Sequence, residues 1–346
     1  MRSVLMTYEL IIKKIVNEAN DVKSFVFEHN EAIGYSAGQY LTFIFHVNGV
    51  ELRRSYSIAS SPLTGEPLQI TFKRIANGAV SRLLFDHYRV GDRMITTGAA
   101  GFFILPPPET VIDRLFFFAA GSGIVPIFSM IKTALQRGNC KQLVLIYSSR
   151  SEKQTIFYAA LQKLQKDHAD TFTIEFLFSI SFDLRAARLN NLLLEQMINR
   201  YELKMEENSF YFLCGPLAYM RMVEFELRTA GVMAEQIRKE HFDTSKPLRN
   251  NAPPDTSGHQ VTVHLNHQVY TMQVQYPVSI LSEAKKHHIP IPYSCEAGKC
   301  GNCSARCVQG KVWTLYNEVL TDEDLQKGIV LTCNSFPVGG DVVLSI

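Results

Sequence analysis

Four cysteines near the C-terminus limit what this chain can become. The stretch Cys295-Glu-Ala-Gly-Lys-Cys300-Gly-Asn-Cys303 crowds three thiols into one loop, and a fourth, Cys333, follows thirty residues later. Thiolates hold ferric and ferrous iron alike, and the C-x4-C-x2-C…C spacing is that of a plant-type [2Fe–2S] site. Ala297, Gly298 and Gly301 leave the backbone free to wrap closely and aim N–H groups at sulfur. A loop of this kind makes its end of the chain a one-electron carrier. Zinc is the competing reading, although zinc sites usually draw thiolates from two well-separated Cys-x2-Cys pairs. Disulfides fit worse: seven cysteines is an odd number, and Met1 to Lys14 carries Glu9, Lys13 and Lys14 where a secretory signal needs an apolar core. An intracellular, cytoplasmic chain is therefore expected, with Cys140 and Cys307 packing as small buried hydrophobes.

A chain of 346 residues allows two or three domains. A net charge of only +2, with no basic stripe, sets nucleic acid aside as a partner. The most apolar segment, Leu115 to Ile131, is shorter than the roughly 20 residues a membrane helix needs, and Gly121, Gly123 and Pro126 interrupt it. It reads instead as a buried strand, a glycine turn and a helix, so no membrane partner is expected.

The rhythm of the chain changes twice. Residues 1–108 show short alternating runs, with Asn48-Gly49 as a hairpin turn and one helix from Ala79 to His87, which predicts an antiparallel β-barrel. Pro106-Pro107-Pro108 closes that unit. Residues 109–243 alternate apolar strands (Leu115 to Ala119, Gln142 to Tyr147, Thr173 to Phe178, Ser209 to Cys214) with helices such as Ile124 to Arg137 and Thr155 to His168. This predicts a doubly wound parallel α/β sheet with ligands beyond the strands' carboxyl ends. Residues 244–260, rich in Pro, Asn, Ser and Gly, read as a linker that lets a domain swing. Residues 261–346 open with a hairpin through Asn266-His267, continue with a helix near Ser279 to His287, and predict a small α+β sheet around a helix.

Four further stretches carry chemistry. Arg54-Ser55-Tyr56-Ser57 ends a barrel strand and offers a cation for a pyrophosphate, an aromatic face for a flavin ring and a hydroxyl for its hydride-accepting nitrogen. Thr71-Phe72-Lys73 is expected beside the ring edge. Gly78-Ala79-Val80-Ser81 opens a helix whose free amides suit a phosphate, unless Ser81 serves only as a cap. Gly121-Ser122-Gly123-Ile124-Val125-Pro126 joins a buried strand to a helix, the setting in which a glycine turn seats a dinucleotide, although the usual third glycine is missing. After the next strand, Ser149 and Arg150 suit the 2′-phosphate of NADPH where an acidic residue would select NADH. Cys214-Gly215-Pro216 ends a later strand before a helix containing Met220, and the Cys214 thiol is expected beside the nicotinamide.

In this order, RSYS, GAVS, GSGIVP, CGP and the cysteine loop resemble the ferredoxin-NADP reductase superfamily over nearly the whole chain. The C-terminal iron–sulfur unit further resembles reductase components of multicomponent oxygenases, the phenylacetyl-CoA epoxidase type in particular. The resemblance implies FAD on the barrel, NADPH (with NADH possible) on the α/β domain and a [2Fe–2S] cluster in a β-grasp ferredoxin domain. It implies that Arg54, Gly78, Val80 and Ser81 hold FAD phosphates, that Tyr56 stacks on the flavin, and that Ser57 approaches the hydride acceptor. Gly121, Gly123 and Pro126 would line the nucleotide site, and Cys295, Cys300, Cys303 and Cys333 would hold the cluster. Glu240-His241-Phe242 resembles the Glu-x-aromatic end of the reductase unit, with Phe242 covering the flavin until nicotinamide displaces it.

The implied activity is an NAD(P)H-dependent oxidoreductase that passes electrons to an oxygenase or another electron-acceptor protein. A hybrid-cluster protein, another ring hydroxylase or a ketosteroid hydroxylase would be served by the same parts. An accessory electron-transfer chain is the reading from a different class, and the long gap from Cys303 to Cys333 speaks against it. From Val261 onward six Lys/Arg stand against seven Asp/Glu. Such near-neutrality suits a tethered ferredoxin, which relies on effective concentration more than on charge steering.

Overall fold

A computed structural model describes residues 6–28, 33–47, 49–183, 187–201, 208–243, 245 and 251–346. The first unit comprises β1 (Tyr8–Ala19), β2 (Val22–Phe27), β3 (Tyr40–Val47), β4 (Val50–Ser57), β5 (Gln69–Lys73), α1 (Ala79–His87) and β6 (Arg93–Ala100). These strands form one antiparallel sheet in the order β4-β3-β6-β1-β2-β5. Its two edges meet through the Ile58–Ile70 bridge and the Ala59 N–H to Gln69 carbonyl bond of 2.7 Å, so the sheet curls into a barrel. Closure removes the exposed edges that an open sheet would leave. Inward-pointing residues, among them Leu10, Ile12, Phe25, Phe43 and Ile70, fill the interior with Leu84 of α1. The β3–β4 register runs to Val47 opposite Val50, which leaves two residues for the turn; Gly49 takes φ +76, and Asn48 lies outside the described residues.

The second unit comprises β7 (Ile112–Ala120), α2 (Ile124–Arg137), β8 (Cys140–Ser149), α3 (Tyr158–Asp167), β9 (Phe172–Phe178), α4 (Asn191–Arg200), β10 (Ser209–Cys214), α5 (Leu217–Thr229) and β11 (Ile237–Glu240). All strand pairs are parallel, in the order β11-β10-β7-β8-β9. The chain starts at the centre with β7, builds outward through β8 and β9, then crosses to the other side for β10 and β11. The direction of winding therefore reverses between β7 and β10, and their carboxyl ends, at Gly121 and Gly215, frame the crevice where such sheets bind ligands. Phe116 and Phe118 point to one face of β7 and Leu115 and Phe117 to the other, each into its own apolar layer. That two-sided burial explains the unbroken run Leu-Phe-Phe-Phe.

The third unit comprises β12 (His259–Leu265), β13 (Gln268–Val274), α6 (Ile280–Lys286), β14 (Ser304–Gln309), β15 (Val312–Thr314), α7 (Asp322–Gln326), β16 (Ile329–Leu331), β17 (Ser335–Pro337) and β18 (Val342–Ser345). Its main sheet, β13-β12-β18-β14-β16, is mixed, with only β12 and β18 parallel, and α6 packs on it through Ile280, Leu281 and Ala284. Asn266 and His267 take φ +49 and +61, the pair of left-handed conformations a two-residue hairpin turn demands. Ser279 caps α6 by accepting the Ser282 N–H.

The run expected as a swinging linker is fastened at its far end. The Asp255 carboxylate accepts from the amides of Gly339 and Ser257 and pairs with His259 at 2.6 Å. Cys140 is buried as expected. Cys307 is only half-buried, packed at the rim of the core just before a register shift in β14. No helix among the described residues is long and apolar enough to cross a membrane.

Candidate functional site

The crevice at the winding reversal is built by close backbone packing. A side chain on Gly123 would place its Cβ 2.0 Å from the Cys214 carbonyl oxygen, and one on Gly215 would meet the Ala120 Cβ at 2.9 Å. These two glycines let the β7 and β10 ends touch. Gly121 differs, with φ +55 and open space around it, so its backbone alone is free to face a ligand. Tyr147, wholly enclosed, locks the turn: its hydroxyl donates to the Gly121 carbonyl at 3.0 Å and accepts the Ile156 N–H at 3.2 Å. Sequence reasoning reads Tyr147 only as the end of a strand. Its signal is a large polar-tipped aromatic where β8 runs beside the glycine turn.

Around this turn lies a cleft of about 280 Å³. Gly121, Ser122 and Gly123 form one wall, Gly215, Pro216 and Met220 another, and Lys73 of the barrel faces Phe242 across it. Phe242, 45% exposed, is an aromatic with little cover of its own at the meeting point of two domains. His241 and Asp243, which sequence reasoning passes over, also line the cleft. Cys214 does not. Its thiol is fully buried behind Gly215, and burial, reinforced by the nearby Glu240, pushes it well above the usual thiol range. Pro126 is buried in the first turn of α2. Ser149 shares a 2.6 Å hydrogen bond with Thr155, which leaves Arg150, exposed just beyond β8, as the available cation at that strand end.

On the barrel, the motif lies along β4. Arg54 is exposed, Tyr56 half-buried with its ring 5.5 Å from Phe72 and 6.3 Å from Phe43, and Ser57 buried. Phe72 therefore props Tyr56 from within the core, and Thr71 bonds Ser24 at 2.7 Å; of the three residues expected at the ring edge, only Lys73 reaches the cleft. Ser81 is no ordinary cap. Its hydroxyl accepts the Ile75 N–H at 3.1 Å and tightens the turn before α1, and Gly78 holds the N-cap position without a side chain. The first-turn amides of α1 thus have no capping side chain, as a phosphate seat requires.

The cysteine loop shows how the thiols are grouped. Cys295 lies against Cys300, and Cys303 against Cys333. Among the described residues no three His, Cys, Asp or Glu side chains gather in the manner of a single-ion site. Four thiols brought together in this way suit the cluster that the spacing predicts. The Cys300 thiol, helped by the amides of Ala297, Lys299 and Cys300, holds Cys295 down to about 6. Its amide donors include Ala297 N–H at 3.4 Å, the backbone-to-sulfur geometry expected of the loop. Gly298, with φ +72, passes so near Tyr316 and Asn334 that a Cβ would lie 2.5 Å from each, and the Asn334 amide nitrogen is buried without a partner. Such a tight loop with spare donors fits an inorganic cluster whose sulfides accept hydrogen bonds.

The loop is not free in solvent. Tyr40 donates to the Cys300 carbonyl at 2.8 Å, Asn302 donates to Thr42 at 3.2 Å, and Ser55 shares a 2.7 Å bond with Ser294. Ser55 thus serves the seam with the cysteine domain. Arg53 stacks 3.9 Å over the Tyr293 ring. Toward the α/β domain, Lys299 pairs with Asp243 at 2.9 Å, and His241 faces Glu318 at 3.7 Å. Glu240, at the end of β11, is 4% exposed; burial, then the neighbouring Cys295, raises its carboxyl to about 8.

Three family models match successive parts of the chain: an oxidoreductase FAD-binding domain over residues 8–104, an oxidoreductase NAD-binding domain over 117–224 and a 2Fe-2S iron-sulfur cluster binding domain over 263–338. The ferredoxin reductase component of 3-ketosteroid-9-alpha-monooxygenase from Rhodococcus rhodochrous is 30% identical, over 97% of this chain and 95% of its own. A component of 1,2-phenylacetyl-CoA epoxidase from Escherichia coli is 29% identical, over 97% of each chain. Phthalate dioxygenase reductase shares the fold, with a TM-score of 0.59 at 23% identity and 98% coverage of both chains.

Proposed function

Because the chain belongs to the ferredoxin-NADP reductase superfamily, as an oxygenase-type reductase with its own 2Fe-2S domain, we propose that it takes electrons from NADPH and hands them singly to an oxygenase component. When bound, FAD accepts a hydride's electron pair and releases it in single steps, and a two-iron cluster carries those onward. The chain's own residues set the geometry. Arg54 and the α1 amides, with Gly78, Val80 and Ser81, would hold the flavin phosphates, Tyr56 would stack on the ring, and Ser57 would approach its hydride acceptor. The Gly121 to Gly123 turn seats the nucleotide, Arg150 takes its 2′-phosphate, and Phe242 fills the nicotinamide position until the nucleotide enters. Cys295, Cys300, Cys303 and Cys333 would hold the cluster.

One observation carries this reading. The barrel that presents Tyr56 also contributes Lys73 to the nucleotide cleft and, through Tyr40, touches the loop of Cys300. Residues assigned to three carriers therefore converge on one small barrel, as sequential transfer over short distances requires.

For the acceptor we propose a phenylacetyl-CoA epoxidase, on the motif resemblance and the similarity to the Escherichia coli epoxidase component. A ketosteroid monooxygenase is the second reading, favoured by the 30% identical relative. Reconstitution distinguishes them: the purified chain with NADPH is mixed with each oxygenase in turn, and product is expected with the epoxidase alone. Product only with the ketosteroid enzyme reverses the assignment.

A further inference from the structure

The seam between the barrel and the cysteine loop is shaped as closely as a core. Tyr40 is 2% exposed although its hydroxyl leaves the barrel and ends on the Cys300 carbonyl of another domain. Room for its ring comes from Gly101, at φ +116, where a Cβ would sit 2.9 Å from Tyr40 Cε1. The next residue, Phe102, is matched in turn by Gly301, at φ +78, whose Cβ would lie 2.7 Å from the Phe102 ring. Gly101 thus makes room for Tyr40 within the barrel, and Gly301 of the cysteine loop makes room for Phe102 across the seam. Beside them Asn302, 8% exposed, spans to Thr42, two residues from Tyr40 on β3. Within the barrel Tyr40 is the ladder partner of Ser57 on β4.

We propose that Tyr40 is a positioning residue for flavin-to-cluster transfer: its hydroxyl holds the Cys300 segment of the cluster loop against the strand pair that carries the flavin-facing Ser57. This deepens the relay reading and rests on it. The acceptor recorded for this buried phenol belongs to another domain, so the bond favours the docked arrangement over an open one. The same ladder makes Ser57, Tyr40 and Cys300 a continuous path of covalent and hydrogen bonds.

Tyr40→Phe in the holoprotein tests this, because it keeps the ring and removes only the hydroxyl. Rapid mixing with NADPH is expected to show flavin reduction at the wild-type rate and cluster reduction slowed by roughly fivefold, the population shift that loss of one net hydrogen bond produces. Amide exchange across residues 296–303 is expected to quicken, while the cluster potential stays put. Thr42→Val, which removes the Asn302 acceptor, is expected to act in the same direction. Unchanged cluster reduction and unchanged exchange in both variants overturn the proposal, as does equal slowing of the flavin and cluster steps. A wild-type chain that shows no EPR signal after dithionite overturns the relay itself, and that result is read before any variant is made.

Discussion

Gly123→Ala tests whether the nucleotide turn is a packing device or a ligand seat. In the folded chain the added Cβ would lie 2.0 Å from the Cys214 oxygen, 2.4 Å from its carbonyl carbon and 2.9 Å from the Gly215 nitrogen. Ordinary contact begins near 3.4 Å, so the shortfall to the oxygen is about 1.4 Å. Every atom met is backbone, so no rotamer change relieves it, and β10 must part from the β7 turn. Overpacking of this kind costs about 1–3 kcal/mol. For a domain of this size that lowers the melting temperature of the nucleotide domain by roughly 2–12 °C. Gly121→Ala is the control. Its Cβ meets nothing, and the only cost is the left-handed φ of +55, about 1–2 kcal/mol. If Gly121 is the ligand-facing glycine, that variant should weaken NADPH binding more than its stability loss explains. Gly123→Ala should destabilise first and raise KM as a consequence. The assays are scanning calorimetry and nucleotide titration by flavin absorbance. A Gly123→Ala chain with wild-type melting and wild-type affinity refutes the packing argument.

Cys303→Ser should abolish the cluster's visible and EPR signals and all transfer to a one-electron protein acceptor, while NADPH-driven ferricyanide reduction from the flavin survives; loss of both activities together counts against separable modules. Arg150→Ala removes a charge-assisted hydrogen bond of about 1.5–3 kcal/mol, so KM for NADPH should rise roughly tenfold to a hundredfold with NADH little changed. An equal rise for both nucleotides rules that role out. Acid should loosen the contact between the α/β and cysteine domains. Burial lowers the His241 pKa against the pull of Glu318, with Lys239 and Lys299 adding to the depression and Glu224 opposing it. The unfolded chain therefore binds the proton first, and stability is complete above the ordinary histidine value of about 6.5 and declines as pH falls below it. Melting temperature between pH 7.5 and 5.5 should drop less in His241→Gln than in wild type, and identical slopes would dispose of the assignment.

The architecture is legible because each unit has its own rhythm. Ala79 to His87, Ile124 to Arg137 and Ser209 to Cys214 are expected with the bounds that α1, α2 and β10 take. Each is fixed locally, by an unbroken apolar run, by an uncapped glycine start, or by the glycine turn before a helix and Gly138 after it. Asn191–Arg200 and Ile237–Glu240 escape notice for a different reason. The helix carries Leu192 at 72% exposure among its apolar residues, which blurs its stripe. The strand Ile-Arg-Lys-Glu reads as polar surface, and only its place at the edge of a parallel sheet makes it a strand.

The site divides along the same line. Thiols, glycine turns and a strand-end arginine announce themselves because their chemistry lies in residue type and spacing. Tyr40, Thr42, Asn302 and His241 do not, because each matters only through a residue far away in sequence; the Tyr40 to Cys300 bond spans 260 positions. Even where a motif is plain, its physical reason is not always legible. GSG reads as one phosphate-approaching unit, yet Gly123 is spent on the Cys214 backbone and Gly121 alone faces outward. Adjacency to Tyr56 groups Ser55 with the flavin, yet its hydroxyl meets Ser294 of the cysteine domain. What the sequence lacks is the domain that waits on the other face, and that domain is what converts a row of polar side chains on β3 and β4 into a seam between two redox modules.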